Sequence, residues 1–143
     1  MSRVVACLAL LLAACAGAQK EPAPNANDLL VGRWANGEPG STCMEQFEFR
    51  ADGTLLYASG GGARMEGQFE LSANPSARGL RVLIMQASGA NGGKDCSGDV
   101  REDGVGAILV SYVWIDPGKD LLLACAEDSF SYCDSPMRRV RTR

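Results

Sequence analysis

The chain carries six cysteines and not one histidine, and that combination sets the chemistry open to it. Without imidazole there is no Ser/His/Asp triad, no Cys/His dyad and no ordinary base poised near neutral pH. The sequence also lacks a Gly-x-Ser-x-Gly elbow, a Ser-x-x-Lys pair and a glycine-rich phosphate loop ending in lysine. No two cysteines form a Cys-x-x-Cys pair, so the close ligand spacing of a structural zinc site is missing. Carboxylates are plentiful, 17 Asp and Glu in all, which leaves a carboxylate-dependent hydrolase as the enzyme class to weigh. No spacing marks a catalytic pair. The acidic stretch Asp95, Asp99, Glu102, Asp103 does not follow the ligand spacing of a calcium loop and reads as a solvated loop. The chain is expected to be non-catalytic, with no metal and no cofactor.

The cysteines divide by position. Behind Arg3 the chain runs apolar from Val4 to Ala14, long enough for a secretory signal and well short of the ~20 residues of a membrane span. Residues 1–14 are therefore expected to leave as a signal peptide, taking Cys7 with them. Export places the rest in an oxidising compartment, where Cys43, Cys96, Cys125 and Cys133 are an even number suited to two disulfides. Four cysteines allow three pairings. A local clip, Cys125 with Cys133, leaves Cys43 with Cys96. The alternative pairs Cys43 with Cys133 and Cys96 with Cys125. The net charge of −3 disfavours nucleic acid as a partner.

Leu12-Ala13-Ala14-Cys15 resembles the bacterial lipobox, an aliphatic residue and two small ones before a cysteine. The resemblance implies that Cys15 receives diacylglycerol and becomes the first mature residue, anchoring the protein to a membrane. Ala16 rather than Asp behind it implies the outer membrane, facing the periplasm, if the source is Gram-negative. Residues 15–28, rich in Ala, Pro, Asn and charge without apolar periodicity, read as the lipidated N-terminus and a flexible tether. Residues 29–143 are the folded domain.

Within that domain, short β-type runs are separated by turn residues, and no stretch has helical periodicity. Strands are expected at Leu30–Ala35, Cys43–Arg50, Thr54–Ser59, Arg64–Leu71, Leu80–Gln86, Val105–Ile115, Leu121–Ala126 and Met137–Thr142. In the second, Cys43, Phe47 and Phe49 share one face. Asp52-Gly53 after it is a hairpin turn. The fold class is all-β: eight antiparallel strands joined mostly by short turns, closing into an up-and-down barrel that leaves no edges. A flattened sandwich uses the same alternation. Counting strands up and down puts all four cysteines at one barrel end, so the disulfides staple one rim.

Side chains either fill an eight-stranded barrel or leave room for one small apolar ligand. Phe47, Phe49, Tyr57, Met65, Phe69, Ile84, Tyr112 and Trp114 are the candidate lining. Tyr112 and Trp114 share one face of the sixth strand and Val113 and Ile115 the other, which implies that part of the outer wall is covered by a loop, a partner or the membrane.

Gly32-Arg33-Trp34 resembles the Gly-x-Trp that opens the first strand of calycins, the superfamily of lipocalins and related small barrels. The resemblance implies that Trp34 closes the barrel base against a basic side chain of the last strand, Arg139 or Arg141. Small calycin-like protease inhibitors also follow Gly-x-Trp with a cysteine leading into an alternating strand, here Cys43. Their free N-terminal arm would be tied to lipid here. The expectation is a lipid-anchored, monomeric or weakly associating barrel of the cell envelope that binds a small apolar ligand or an envelope protein. Inhibition of a protease or lysozyme, and a carboxylate-dependent envelope enzyme, are the alternatives.

Overall fold

The computed structural model describes residues 24–37, 41–100 and 104–141. The expected signal peptide, Cys15 and the first part of the tether lie outside them. Eight strands, β1 Gly32–Asn36, β2 Glu45–Phe49, β3 Thr54–Ser59, β4 Arg64–Leu71, β5 Arg81–Ala90, β6 Ile108–Asp116, β7 Leu121–Cys125 and β8 Met137–Arg139, pair in sequence order, each antiparallel to the next. β8 returns to β1 through Trp34↔Arg139 and Ala35↔Arg138, which closes the barrel. It is the up-and-down barrel that the alternation implies.

β4 shows why the chain folds this way. Its residues alternate between exposed and buried along the whole strand, with Met65, Phe69 and Leu71 directed inward. A period of two can satisfy a core on one side only if the strand is extended. The β2–β3 turn is equally local. Gly53 takes φ 83°, open to glycine at little cost, and its N–H donates to the Arg50 carbonyl at 3.0 Å.

Asp52 completes that turn, its carboxylate accepting from the Thr54 hydroxyl at 2.7 Å and the Thr54 N–H at 2.9 Å. The hydroxyl bond, then the amide bond, holds the Asp52 carboxyl below the usual aspartate range. A depressed carboxylate pKa favours the folded state above the unfolded pKa, and that contribution is lost as pH falls through the folded value. NMR titration is expected to give Asp52 a midpoint below that of an unstructured aspartate, moving back toward it in Thr54→Val. An ordinary midpoint in the native protein would contradict this account of the turn.

Strand order fixes which loops share an end. The disulfides Cys43–Cys96 and Cys125–Cys133 both lie at the rim formed by the β1–β2, β3–β4, β5–β6 and β7–β8 connections, and the pairing is the one built on the local clip. The 91–107 loop reaches Cys43 by crossing the β3–β4 turn, where the Lys94 carbonyl accepts from Ala63 N–H at 2.9 Å and Ser59 Oγ at 3.0 Å.

The opposite end is closed. The Trp34 ring is fully buried, its Nε1–H donates to the Leu30 carbonyl at 2.7 Å, and the Arg139 guanidinium stacks 4.2 Å from its ring centroid. Arg139 also donates to the carbonyls of Val31 and Leu29. Arg141 does not reach the tryptophan; it pairs with Asp120, to which its Nε donates at 2.8 Å. Of the two arginines implied for the plug, Arg139 stacks on the indole, and Arg141 holds the carboxylate that also pairs with Arg139 at 3.3 Å.

One boundary moves. Residues 25–28, expected in the flexible tether, belong to the domain: Ala26–Leu29 form a 3₁₀ turn with Asn25 as its cap. The Asn27 side chain accepts from Leu71 N–H at 2.8 Å, and Ala26 and Leu29 pack on the core. Polar composition suggests a linker, but short amide side chains also cap and bridge backbone groups. The N-terminal segment thus enters at the plugged end, opposite the disulfides.

Candidate functional site

Trp34, Phe49, Tyr57, Met65, Phe69, Leu83, Val113 and Leu122 form one continuous core with their neighbours. Phe49 and Phe69 meet edge to face with centroids 4.9 Å apart, and Phe47 lies 4.9 Å from Tyr57. The plugged half of the barrel is filled by this packing. Toward the disulfide rim the filling stops short.

A cup of about 140 Å³ remains there, with Phe47, Met65, Leu83, Met85, Leu109, Val113, Leu122 and Met137 among its walls and Asn36, Glu45, Ser111, Asp134 and Ser135 as its polar part. Asn36, Glu45 and Asp134 are held in place by hydrogen bonds. Asn36 and Glu45 face each other across β1 and β2. The Asn36 amide donates to Glu45 Oε2 at 3.2 Å, and Glu45 N–H donates to Asn36 Oδ1 at 3.0 Å. The Tyr57 hydroxyl donates to Glu45 Oε1 at 2.7 Å. One carboxylate is thus held by two side-chain donors at the end of the apolar interior, and such a group is oriented before any ligand arrives. Asp134 and Ser135 come from the β7–β8 loop just beyond Cys133, with the Asp134 N–H donating to the Ala124 carbonyl at 2.8 Å.

The expected lining divides in the structure. Phe47 and Met65 line the cup, and Tyr57 supports it through Glu45. Phe49 and Phe69 are buried in the core of the barrel. Ile84, Tyr112 and Trp114 are corrections. In β5 the buried residues are Leu83, Met85 and Ala87, and Ile84 is 41% exposed on the outer wall. In β6, Val113 is buried in the core and Leu109 and Ile115 pack on it, so alternation turns Tyr112 and Trp114 outward.

Two loops meet beside this outer wall. The Ser76 hydroxyl donates to Asp128 Oδ1 at 2.7 Å, and the Arg78 guanidinium donates to the Asp128 carbonyl at 2.8 Å. Those residues belong to the β4–β5 and β7–β8 connections, which start at opposite barrel ends, so their meeting spans the outer wall between β5 and β7. Nearer the rim, Ile108 and Val110 remain 64% and 53% exposed.

No family model, no curated protein and no solved structure matches the chain. Function must then be read from the sites themselves. A larger but open trough of about 330 Å³ lies over β2–β4, lined by Arg33, Glu48, Arg64 and Glu66 around Leu56 and Ala58. Long side chains standing on a sheet create such a trough without converging on anything. The acidic loop is also engaged with itself: Asp95 Oδ1 accepts from Ser97 N–H, Ser97 Oγ and Asp99 N–H. Glu102 and Asp103 lie outside the described residues. The cup is the stronger candidate, because its groups converge from seven strands and a loop.

Proposed function

We propose that this chain is a lipid-anchored barrel of the cell envelope, non-catalytic, that binds a small ligand in the cup at its disulfide rim. The observation that carries this reading is the partial filling of the barrel: an apolar interior that ends in a cup of about 140 Å³ under oriented polar groups. That volume is well below the 300–1,000 Å³ of sites for drug-sized molecules. It is close to the cavity size that admits a single six-carbon ring, so long acyl chains are unsuitable. A sugar ring with its attacking water, set between two carboxylates at glycosidase spacing, needs more room than this. The N-terminal segment enters at the plugged end, so an anchor at Cys15 would be joined to the barrel at the end opposite the cup.

The exposed wall of Ile84, Ile108 and Val110 favours a second reading, contact with an envelope protein, since clustered apolar side chains of this kind mark interaction surfaces. Native mass spectrometry of the exported protein, beside a denatured control, separates the two. A small adduct lost on denaturation supports the cup reading, and bare protein under gentle release favours the wall. Lipidation has its own test: labelled palmitate is expected in the wild-type chain and absent from Cys15→Ser, and equal labelling in both would remove the anchor.

A further inference from the structure

We infer that the cup selects small cationic amphiphiles, short alkylammonium-type molecules, over neutral and anionic ones of the same size. The inference rests on the cup reading and adds the chemistry of its ligand. The two ionisable side chains of the lining are the carboxylates Glu45 and Asp134; among the described residues none of the lining is basic. Arg64, the arginine placed near the same rim by the β3–β4 turn, directs its guanidinium to the carbonyls of Ser59 and Ala63. Within the described lining, a ligand carboxylate entering the cup would therefore meet like charge with no compensating cation.

An ammonium group meets the opposite situation. Glu45 already accepts one bond at each oxygen, from Tyr57 and from Asn36, which fixes its orientation and leaves acceptor capacity, because a carboxylate offers about four lone-pair sites. A charge-assisted bond to it is roughly twice as strong as a neutral one. Below the polar groups, Phe47, Met65, Met85 and Met137 supply an apolar, adaptable floor. Head and tail are both accommodated when the tail has about six carbons, matched to a volume near 140 Å³.

The test uses the exported chain carrying Cys15→Ser, labelled at the methionine methyls, titrated separately with hexan-1-amine, hexan-1-ol and pentanoate at pH 7. Hexan-1-amine is expected to shift Met65, Met85 and Met137 while leaving Met44 in place, and to bind about tenfold tighter than hexan-1-ol, with pentanoate weakest. Glu45→Gln is expected to reduce the amine's advantage to threefold or less. Asp134→Asn, at an exposed loop position, gives a smaller reduction and serves if Glu45→Gln fails to fold. Equal affinity for amine and alcohol, or binding of pentanoate as tight as the amine, overturns the cationic preference and leaves the cup intact. Absence of any shift at the three methionines with all three probes overturns both the preference and the cup reading.

Discussion

Trp34→Ala is expected to cost about 3–5 kcal/mol of folding stability, the range for truncating a buried tryptophan, and to lower the Tm by roughly 10–20 °C for a domain of this size. Three losses coincide there. The indole leaves a cavity at the plugged end, where the ring is fully buried in the core cluster. The Leu30 carbonyl loses the Nε1–H donor at 2.7 Å, and the Arg139 guanidinium loses the ring it covers at 4.2 Å. Urea unfolding monitored by far-UV circular dichroism measures the sum. Trp34→Phe separates the parts, since it keeps an aromatic face for Arg139 and removes the donor, and its cost should be less than half as large. Arg139→Lys should also be costly, because an ammonium cannot stack flat on the indole while donating to both Val31 and Leu29. A loss below about 1 kcal/mol in Trp34→Ala would mean that the plug does not hold the barrel closed.

Gly32 belongs to the same unit. It adopts φ 128°, and a Cβ there would sit 2.6 Å from Arg139 Nη1. A larger residue at this position therefore pays for a strained backbone and displaces the guanidinium as well. The Gly-x-Trp pattern thus has a physical content independent of any family: the glycine makes room for the arginine that covers the tryptophan. β8 has only three residues and meets β7 and β1 at two register positions each, so the side-chain plug reinforces a short backbone seam.

Legibility in the sequence followed the contrast between the two faces of each strand. The bounds of β3 and β4 coincide with the expected ones: in β4 polar and apolar residues alternate, and β3 lies between the Asp52-Gly53 turn and the glycine run 60–62. In β5 and β6 both faces are apolar, so parity carries no information, and Ile84, Tyr112 and Trp114 fell on the wrong side of the wall. The bonds from Ser76 and Arg78 to Asp128 join segments more than 45 residues apart, and no local pattern reports them. Glu45 did leave a trace. It lies between Cys43 and Phe47 on the face assigned inward, and a carboxylate with the parity of the core is a sign of a functional or paired group. Its partners Asn36 and Tyr57 follow only once the register of β1, β2 and β3 is known.

The two disulfides should differ measurably in what they contribute. Cys43–Cys96 closes a sequence separation of 53 residues and Cys125–Cys133 one of 8. Restriction of the unfolded chain scales with the logarithm of loop length, giving about 4 kcal/mol for the first and about 2.5 kcal/mol for the second. The native structure sharpens the contrast. Cys43–Cys96 ties the entry to β2 to a long loop that has crossed β3 and β4, whereas the clip joins residues already paired as an isolated bridge and supported by Ala126 N–H donating to Tyr132 O at 2.9 Å. Removing the clip leaves a local turn able to re-form; removing the other frees a loop whose closure must be repeated at every folding event. The expected result in urea is a larger loss for Cys43→Ala with Cys96→Ala than for Cys125→Ala with Cys133→Ala, by about 1.5 kcal/mol. Glu45 stands two residues from Cys43, so the first double variant should also weaken binding in the cup several-fold under conditions where it remains folded. Equal losses, or a larger loss from the clip, would show that native strain or residual structure in the unfolded chain outweighs loop closure in this barrel.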